Sequence, residues 1–311
     1  MRTAPISPSP EPKVQPQRLV ATLVANPARP AVTDAVVAAA ARALGHDPQV
    51  AILAREIAAD LMFEAVAAEA EARIRASLEG APVDVIVQPH ANRRKRLFLA
   101  DMDSTMIGQE CIDELADYVG LKAEVSGITE RAMRGEIAFE PALRERVALL
   151  KGLPLSVIDE IIAARITLMP GGPALVRTMR ANGAYTALVS GGFTLFTGPV
   201  AQMIGFHEHR SNTLLLEGET LAGEVAEPIL GREAKRATLV ELRERHGLAA
   251  PDTIAVGDGA NDLAMLGEAG LGIAFRAKPA VAAAAHARVE HGDLTALLYA
   301  QGYRAEEFLL E

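Results

Sequence analysis

The chain has 311 residues, 50% hydrophobic and 23% charged, which suits a globular protein of about two domains with a sizeable core. Its net charge of −9 argues against a nucleic-acid-binding surface, although a locally positive pocket for a small anion stays compatible with it. The single cysteine, Cys111, excludes an internal disulfide and a thiolate zinc cluster.

Residues 1–18 hold prolines at 5, 8, 10, 12 and 16 and no apolar signal-peptide segment, so they read as a disordered tail. With one thiol and no secretory signal, the reducing cytoplasm is the expected compartment. Residues 19–24 are strand-like and 31–44 form an Ala-rich helix. The runs 50–53 and 57–63 pair as a hairpin, 65–78 is helical and ends at Gly80, and 83–87 is a strand. The order β-α-β-β-α-β predicts a small α+β domain over 19–90. Residues 93–96, Arg-Arg-Lys-Arg, read as a solvated linker because the whole protein is acidic.

From 96 to 311 the pattern turns to α/β. Apolar strands at 97–100, 185–189 and 253–256 alternate with helices, which predicts a doubly wound parallel sheet. A mostly helical insertion at about 108–168 is placed to act as a cap. Within it Ile112, Leu115, Ala116 and Val119 make one apolar stripe, closed by Gly120. Phe139, Leu143, Arg146 and Leu150 share another helix face. The uncharged run 183–206 is long enough to suggest a membrane span, but its five glycines and Pro199 favour a strand, loop and helix. Residues 213–216 and 220–225 form a hairpin, and 233–246 a helix.

Candidate chemistry gathers where strands end. Asp101-Met-Asp103-Ser-Thr105 follows the apolar run 97–100, and two acids so placed can divide nucleophilic and proton-transfer work; a solvated turn is the plainer alternative. Gly257-Asp258-Gly-Ala-Asn261-Asp262 follows strand 253–256 and opens the next helix. Its carboxylates suit Mg²⁺, and its Asn and Asp equally suit a helix cap. Ser190-Gly191-Gly192 offers a hydroxyl and backbone N–H groups to an anion, or simply a flexible loop. Lys235 shares a face with Leu239 and Leu242, so its ammonium snorkels or meets phosphate or an aspartate. Arg146 on an apolar face binds a carboxylate, snorkels or makes a structural ion pair. Glu110 stands at a helix start, where an acid is favourable in any case. Cys111 reads as a small packed side chain. His207 and His209 lack the companions that a zinc site needs.

Taken in chain order, Asp101-x-Asp103-x-Thr105, Ser190-Gly191, Lys235 and Gly257-Asp258-Gly-x-Asn261-Asp262 resemble the haloacid dehalogenase-like (HAD) phosphatases, from about residue 97 to the C-terminus. The run from Asp101 to Glu110, Phe139 with Arg146, and Ser190-Gly-Gly-Phe193 are similar to the phosphoserine phosphatase family, without departure inside these motifs. The N-terminal segment is similar in topology to ACT-like regulatory domains. The resemblance implies Mg²⁺-dependent hydrolysis of O-phospho-L-serine to L-serine and phosphate, the last step of serine biosynthesis, through an aspartyl-phosphate. It implies Asp101 as nucleophile and Asp103 as general acid and base. Asp101, the Asp103 carbonyl and Asp258 would hold Mg²⁺, with Asp262 behind them. Ser190, Gly191, Lys235 and Asn261 would hold the phosphoryl group, Glu110 the substrate ammonium and Arg146 its carboxylate. The alternative is a related HAD-type phosphatase or phosphotransferase acting on another small phosphomonoester. A sensor with an inactive core is disfavoured, since every acid needed for turnover is present. No nucleic-acid or membrane partner is implied; a homodimer and an amino-acid effector at the N-terminal domain stay open.

Overall fold

The computed structural model describes residues 17–45, 47–65, 67–133 and 136–310. The proline-rich stretch 1–16 lies outside them, and the first strand begins at Gln17, inside the stretch read as tail. The N-terminal unit runs β1 (Gln17–Ala25), α1 (Asp34–Ala43), β2 (Gln49–Ala54), β3 (Ala58–Ala65), α2 (Ala67–Ser77) and β4 (Val83–Pro89). Its order is the expected β-α-β-β-α-β, and the strands form an antiparallel sheet ordered β2-β3-β1-β4. Strand side chains alternate between faces. Leu19, Ala21, Leu23 and Ala25 pack with Leu61, Val85 and helix residues Ala40 and Ile74. Val24, Ala58 and Ile86 point the other way and join the core of the second unit. Strands β1 and β4 are therefore covered on both faces, while Val50 and Ile52 of edge strand β2 stay exposed.

The second unit opens with β5 (Leu97–Ala100), followed by α3 (Cys111–Tyr118), α4 (Lys122–Met133), α5 (Phe139–Ala148), α6 (Ser156–Ala164) and α7 (Gly172–Ala181). Then come β6 (Tyr185–Phe193), α8 (Thr194–Ile204), β7 (Glu208–Asn212), β8 (Leu214–Glu217), β9 (Thr220–Val225) and α9 (Arg232–Arg245). The chain ends with β10 (Thr253–Gly257), α10 (Leu263–Glu268), β11 (Leu271–Phe275), α11 (Pro279–Ala284), β12 (Ala287–Val289) and α12 (Ala296–Ala300). Six strands form one parallel sheet, β12-β11-β10-β5-β6-β7, so the doubly wound α/β core is as expected. Every residue of β5, β10 and β11 is buried, as a sheet covered on both faces requires. The uncharged run 183–206 is β6 and α8, and no helix among the described residues is long and apolar enough to cross a membrane.

Helices α3 to α6 form the inserted cap. Its two connections to the core run side by side: Gly108 N donates to Thr167 O (3.0 Å) and Met169 N to Met106 O (2.9 Å). In α3 the buried stripe is Cys111, Leu115 and Ala116, while Val119 is 38% exposed because it lies past the helix end. In α5 the buried stripe is Ala142, Leu143 and Val147, which leaves Phe139 at the cap surface and Arg146 beside the stripe. The β8–β9 hairpin is bonded to the cap through Leu155 N to Glu219 O (3.0 Å) and Gly152 N to Leu221 O (2.8 Å).

The basic stretch 93–96 is not simply a solvated linker. Arg93 donates to Asp60 through Nη1 (2.6 Å) and Nη2 (3.0 Å), and to the carbonyls of Ala300 and Tyr299. Lys95 is buried with its Nζ on the Pro251 carbonyl (2.8 Å), and burial pulls its ammonium down to about 8. Composition could not reveal that two units close over this segment. Their approach strips water from the cations and supplies carboxylate and carbonyl partners. Asp60 is nearly inaccessible, so Arg93→Ala would leave its charge buried and unpaired. A loss of about 3 kcal/mol in unfolding free energy is expected from denaturant titration; a loss below about 1 kcal/mol would contradict this role.

Candidate active site

Strand order reverses between β5 and β10: β6 and β7 extend the sheet on one side, β11 and β12 on the other. In such sheets the crevice at the carboxyl ends of the two central strands is where ligands bind. Asp101 directly follows β5, and Asp258 directly follows β10. Asp101 N bonds Val256 O (3.0 Å), which carries the ladder one residue past the strand and fixes the level of both acids.

Lys235 lies in the first turn of α9 and is 1% exposed, on the face it shares with Leu239 and Leu242. Its Nζ is 2.7 Å from Asp101 Oδ1 and 2.7 Å from Asp262 Oδ1. Burial alone would pull this ammonium down; the two carboxylates outweigh it and hold its pKa above the ordinary value. Burial, then the Asp262 charge, push Asp101 well above the usual carboxylate range against the pull of Lys235. Burial likewise raises Asp258, opposed by the Thr105 hydroxyl that donates to its Oδ1 (3.0 Å). Oxygens of Asp101, Asp258 and Asp262 all lie within 4.8 Å of one another, a set of hard donors able to hold a divalent cation.

Asp103 is held from two sides. Cys111 N donates to Oδ1 (2.9 Å) and Ser190 Oγ to Oδ2 (3.2 Å), while burial raises its pKa. Cys111 is buried, as expected of a packed residue, but its amide also opens α3 toward Asp103. Glycines permit the close approaches here. A Cβ on Gly192 would sit 3.0 Å from Asp103 Oδ2, and one on Gly257 would sit 2.4 Å from Asp262 Oδ2. Asn261 is exposed, with its amide oxygen folded over Gly259, where a Cβ would meet it at 2.2 Å.

The cap supplies the rim. Glu110 accepts from Ser104 Oγ (2.6 Å), and Ser104 takes the left-handed conformation (φ 55°) to make that turn. Glu110 keeps an edge to solvent, yet desolvation by the surrounding walls, then the Asp103 charge, raise it to about 7. Arg146 is half-buried. Its Nε bonds Ala142 O (3.2 Å), its Nη1 bonds Thr129 Oγ1 (3.4 Å), and it feels the charges of Asp113 and Glu110. Phe139 reaches from the cap over the Ser-Gly-Gly loop; a Cβ on Gly191 would lie 3.7 Å from its Cζ.

The Lys235–Asp101–Asp262 triad, the Ser190–Asp103 pair and Asp258 on Thr105 thus gather in one crevice, with Gly191, Asn261, Glu110 and Arg146 around them. Thr105 and Asn212 also belong to this surrounding. Thr105 stood inside a quoted motif, whereas Asn212 carries no local signal.

A haloacid dehalogenase-like hydrolase family model matches residues 98–267. A phosphoserine phosphatase of Polaromonas is 45% identical over 65% of this chain and 88% of its own length. One from Archaeoglobus fulgidus is 42% identical, over 74% of this chain and 67% of its own. A Mycobacterium tuberculosis phosphoserine phosphatase is 43% identical over 71% of this chain, which spans only 54% of that longer relative. The solved structure of a probable phosphoserine phosphatase from Vibrio cholerae superposes with a TM-score of 0.74 at 32% identity. It covers 92% of this chain and 86% of its own, an overlap too large to leave out the N-terminal unit.

Lys235→Met would leave the Asp101 and Asp262 carboxylates facing each other without a cation. With EDTA present, unfolding free energy is expected to fall by about 3 kcal/mol at pH 8. The loss should shrink as pH falls toward 5, because Asp101, already raised, takes a proton and removes the repulsion. A loss that grows with acidity would contradict the arrangement.

Proposed function

The chain belongs to the haloacid dehalogenase-like hydrolase family, and on that footing we propose that it hydrolyses O-phospho-L-serine to L-serine and inorganic phosphate. One observation carries the reading: Lys235 bonds both Asp101 and Asp262 while Ser190 bonds Asp103, so four motifs far apart in sequence meet at one strand-end crevice.

Asp101 is the nucleophile. Its carboxylate oxygen bonds to phosphorus as the bond to the serine oxygen breaks, leaving an aspartyl-phosphate. Asp103 gives the departing serine oxygen a proton, then takes one from the water that splits the Asp101–phosphorus bond. Burial raises its pKa, the direction that favours a proton donor, and its two hydrogen bonds hold it in place. Lys235 favours the ionised form of Asp101 and, with Ser190, the Gly191 amide and Asn261, holds the phosphoryl oxygens. Positioning and charge compensation provide nearly all the acceleration in such transfers.

The donor set fits Mg²⁺. The crevice gathers the carboxyl groups of Asp101, Asp103, Asp258 and Asp262 around the ammonium of Lys235, more acid than one cation offsets. The Asp101 and Asp258 carboxylates and the Asp103 carbonyl would hold the ion, with Asp262 behind them. Bound there, Mg²⁺ would offset the charge of the phosphoryl group.

Glu110 and Arg146 decide the substrate. An acid and a guanidinium close enough to feel each other, both on the cap, complement the ammonium and carboxylate of an amino acid. Phosphate release from O-phospho-L-serine, a sugar phosphate and an aryl phosphate tests this. Arg146→Ala is expected to raise KM for phosphoserine by about 10- to 100-fold, and for the aryl phosphate by less than about threefold. Equal effects on both substrates, or preference for the sugar phosphate, would favour a related phosphatase or phosphotransferase for another small phosphomonoester.

A further inference from the structure

Asn212 ends β7 and is 2% exposed, with its amide bonded to backbone groups. Its Nδ2 donates to the carbonyls of Gly191 (2.8 Å) and Leu230 (3.3 Å), and its Oδ1 accepts from Leu230 N (2.6 Å). The amide orientation is fixed by its partners, since a flipped amide would point its oxygen at two carbonyls. The side chain stands where the sheet loses its ladder. Parallel pairing of β6 with β7 runs to Val189↔Arg210 and resumes at Phe193↔Asn212, so Ser190, Gly191 and Gly192 bulge out opposite Ser211 alone.

The Gly191–Gly192 peptide is the pivot of that bulge. Its carbonyl is held by Asn212, and its N–H donates to Ser190 Oγ (2.8 Å) on the opposite side. Because the Ser190 oxygen accepts from this N–H, its own proton is turned toward Asp103 Oδ2 (3.2 Å). A Cβ at 192 would crowd Asp103 Oδ2 at 3.0 Å, and two glycines in a row leave their shared peptide free to rotate. Asn212 removes that freedom. The same side chain ties down Leu230, two residues before the helix that carries Lys235.

We propose that Asn212 is a positioning residue for phosphoryl transfer: by clamping the Gly191–Gly192 peptide it sets the Ser190 hydroxyl against Asp103. The inference rests on the proposed phosphatase reading and concerns the phosphoryl half of the site, not the amino-acid half.

Steady-state kinetics on Asn212→Ala, Ser190→Ala and the double variant test it, with phosphoserine and an aryl phosphate as substrates. Asn212→Ala is expected to lower kcat by about 10- to 100-fold on both substrates, the scale of a misplaced contact. KM for phosphoserine should move by less than about threefold. In the Ser190→Ala background the same substitution should cost less than about threefold more, because the hydroxyl through which it acts is gone. Asn212→Asp keeps the shape and the acceptor for Leu230 N while its carboxylate cannot donate to Gly191 O. It should show the same kcat loss, and it carries the cycle if Asn212→Ala does not fold. Losses that multiply in the double variant, an unchanged kcat, or a defect confined to phosphoserine would each overturn the proposal. If the unsubstituted enzyme cleaves the aryl phosphate but not phosphoserine, the substrate reading fails while the cycle still decides the role of Asn212.

Discussion

One buried ammonium between two carboxylates organises this molecule. Lys235 is as buried as a core residue, and it sits in an apolar face only because Asp101 and Asp262 meet it there. Without that cation the two ionised carboxylates would repel each other strongly, being so close in a dry setting. The triad therefore binds the end of β5 to the first turn of α9 and the start of α10. What surrounds it serves the same geometry. Gly257 lacks the Cβ that would collide with Asp262, and Thr105 orients Asp258 from within the first loop.

The N-terminal unit is joined to this core by polar clamps as well as apolar packing. Arg93 holds Asp60 and two carbonyls of the α12 turn, while buried Asp84 accepts from the amides of Glu290 (2.8 Å) and Gly292 (2.7 Å). The loop gripped by Asp84 continues to Leu294, whose N–H meets Pro170 O (3.0 Å) at the exit strand of the cap. Gly171 lies so close to Thr295 that a Cβ would stand 2.6 Å from its amide. A continuous set of contacts thus runs from the antiparallel sheet to the base of the cap.

Much of this was legible in the chain, for definite reasons. Strands β5, β6 and β10 carry mostly apolar runs that lead into acids, a serine or glycines, so composition and punctuation mark both the strand and its functional end. Edge strand β7 reads Glu-His-Arg-Ser-Asn, and β12 has only three residues; a strand at a sheet edge need not be apolar, and neither has a pattern to find. β11 is apolar but carries Gly272 inside and Gly270 beside it, the composition of a loop. The Lys235 face was readable because 3.6-residue periodicity put it with Leu239 and Leu242. Arg93 was misjudged because a run of cations says nothing about what packs over it. Asn212 was invisible, since its partners lie 18 and 21 residues away and are backbone groups without side-chain identity.

The proposed chemistry turns on which carboxylate attacks phosphorus, that of Asp101 or that of its neighbour two residues on. Acid-quenching the enzyme during turnover of phosphoserine, reducing with borohydride and mapping peptides by mass spectrometry addresses it directly. Reduction of an aspartyl-phosphate converts that residue to homoserine, so attack by Asp101 is expected to leave homoserine at position 101 alone. Homoserine at 103, or sustained turnover with no converted aspartate, would contradict it.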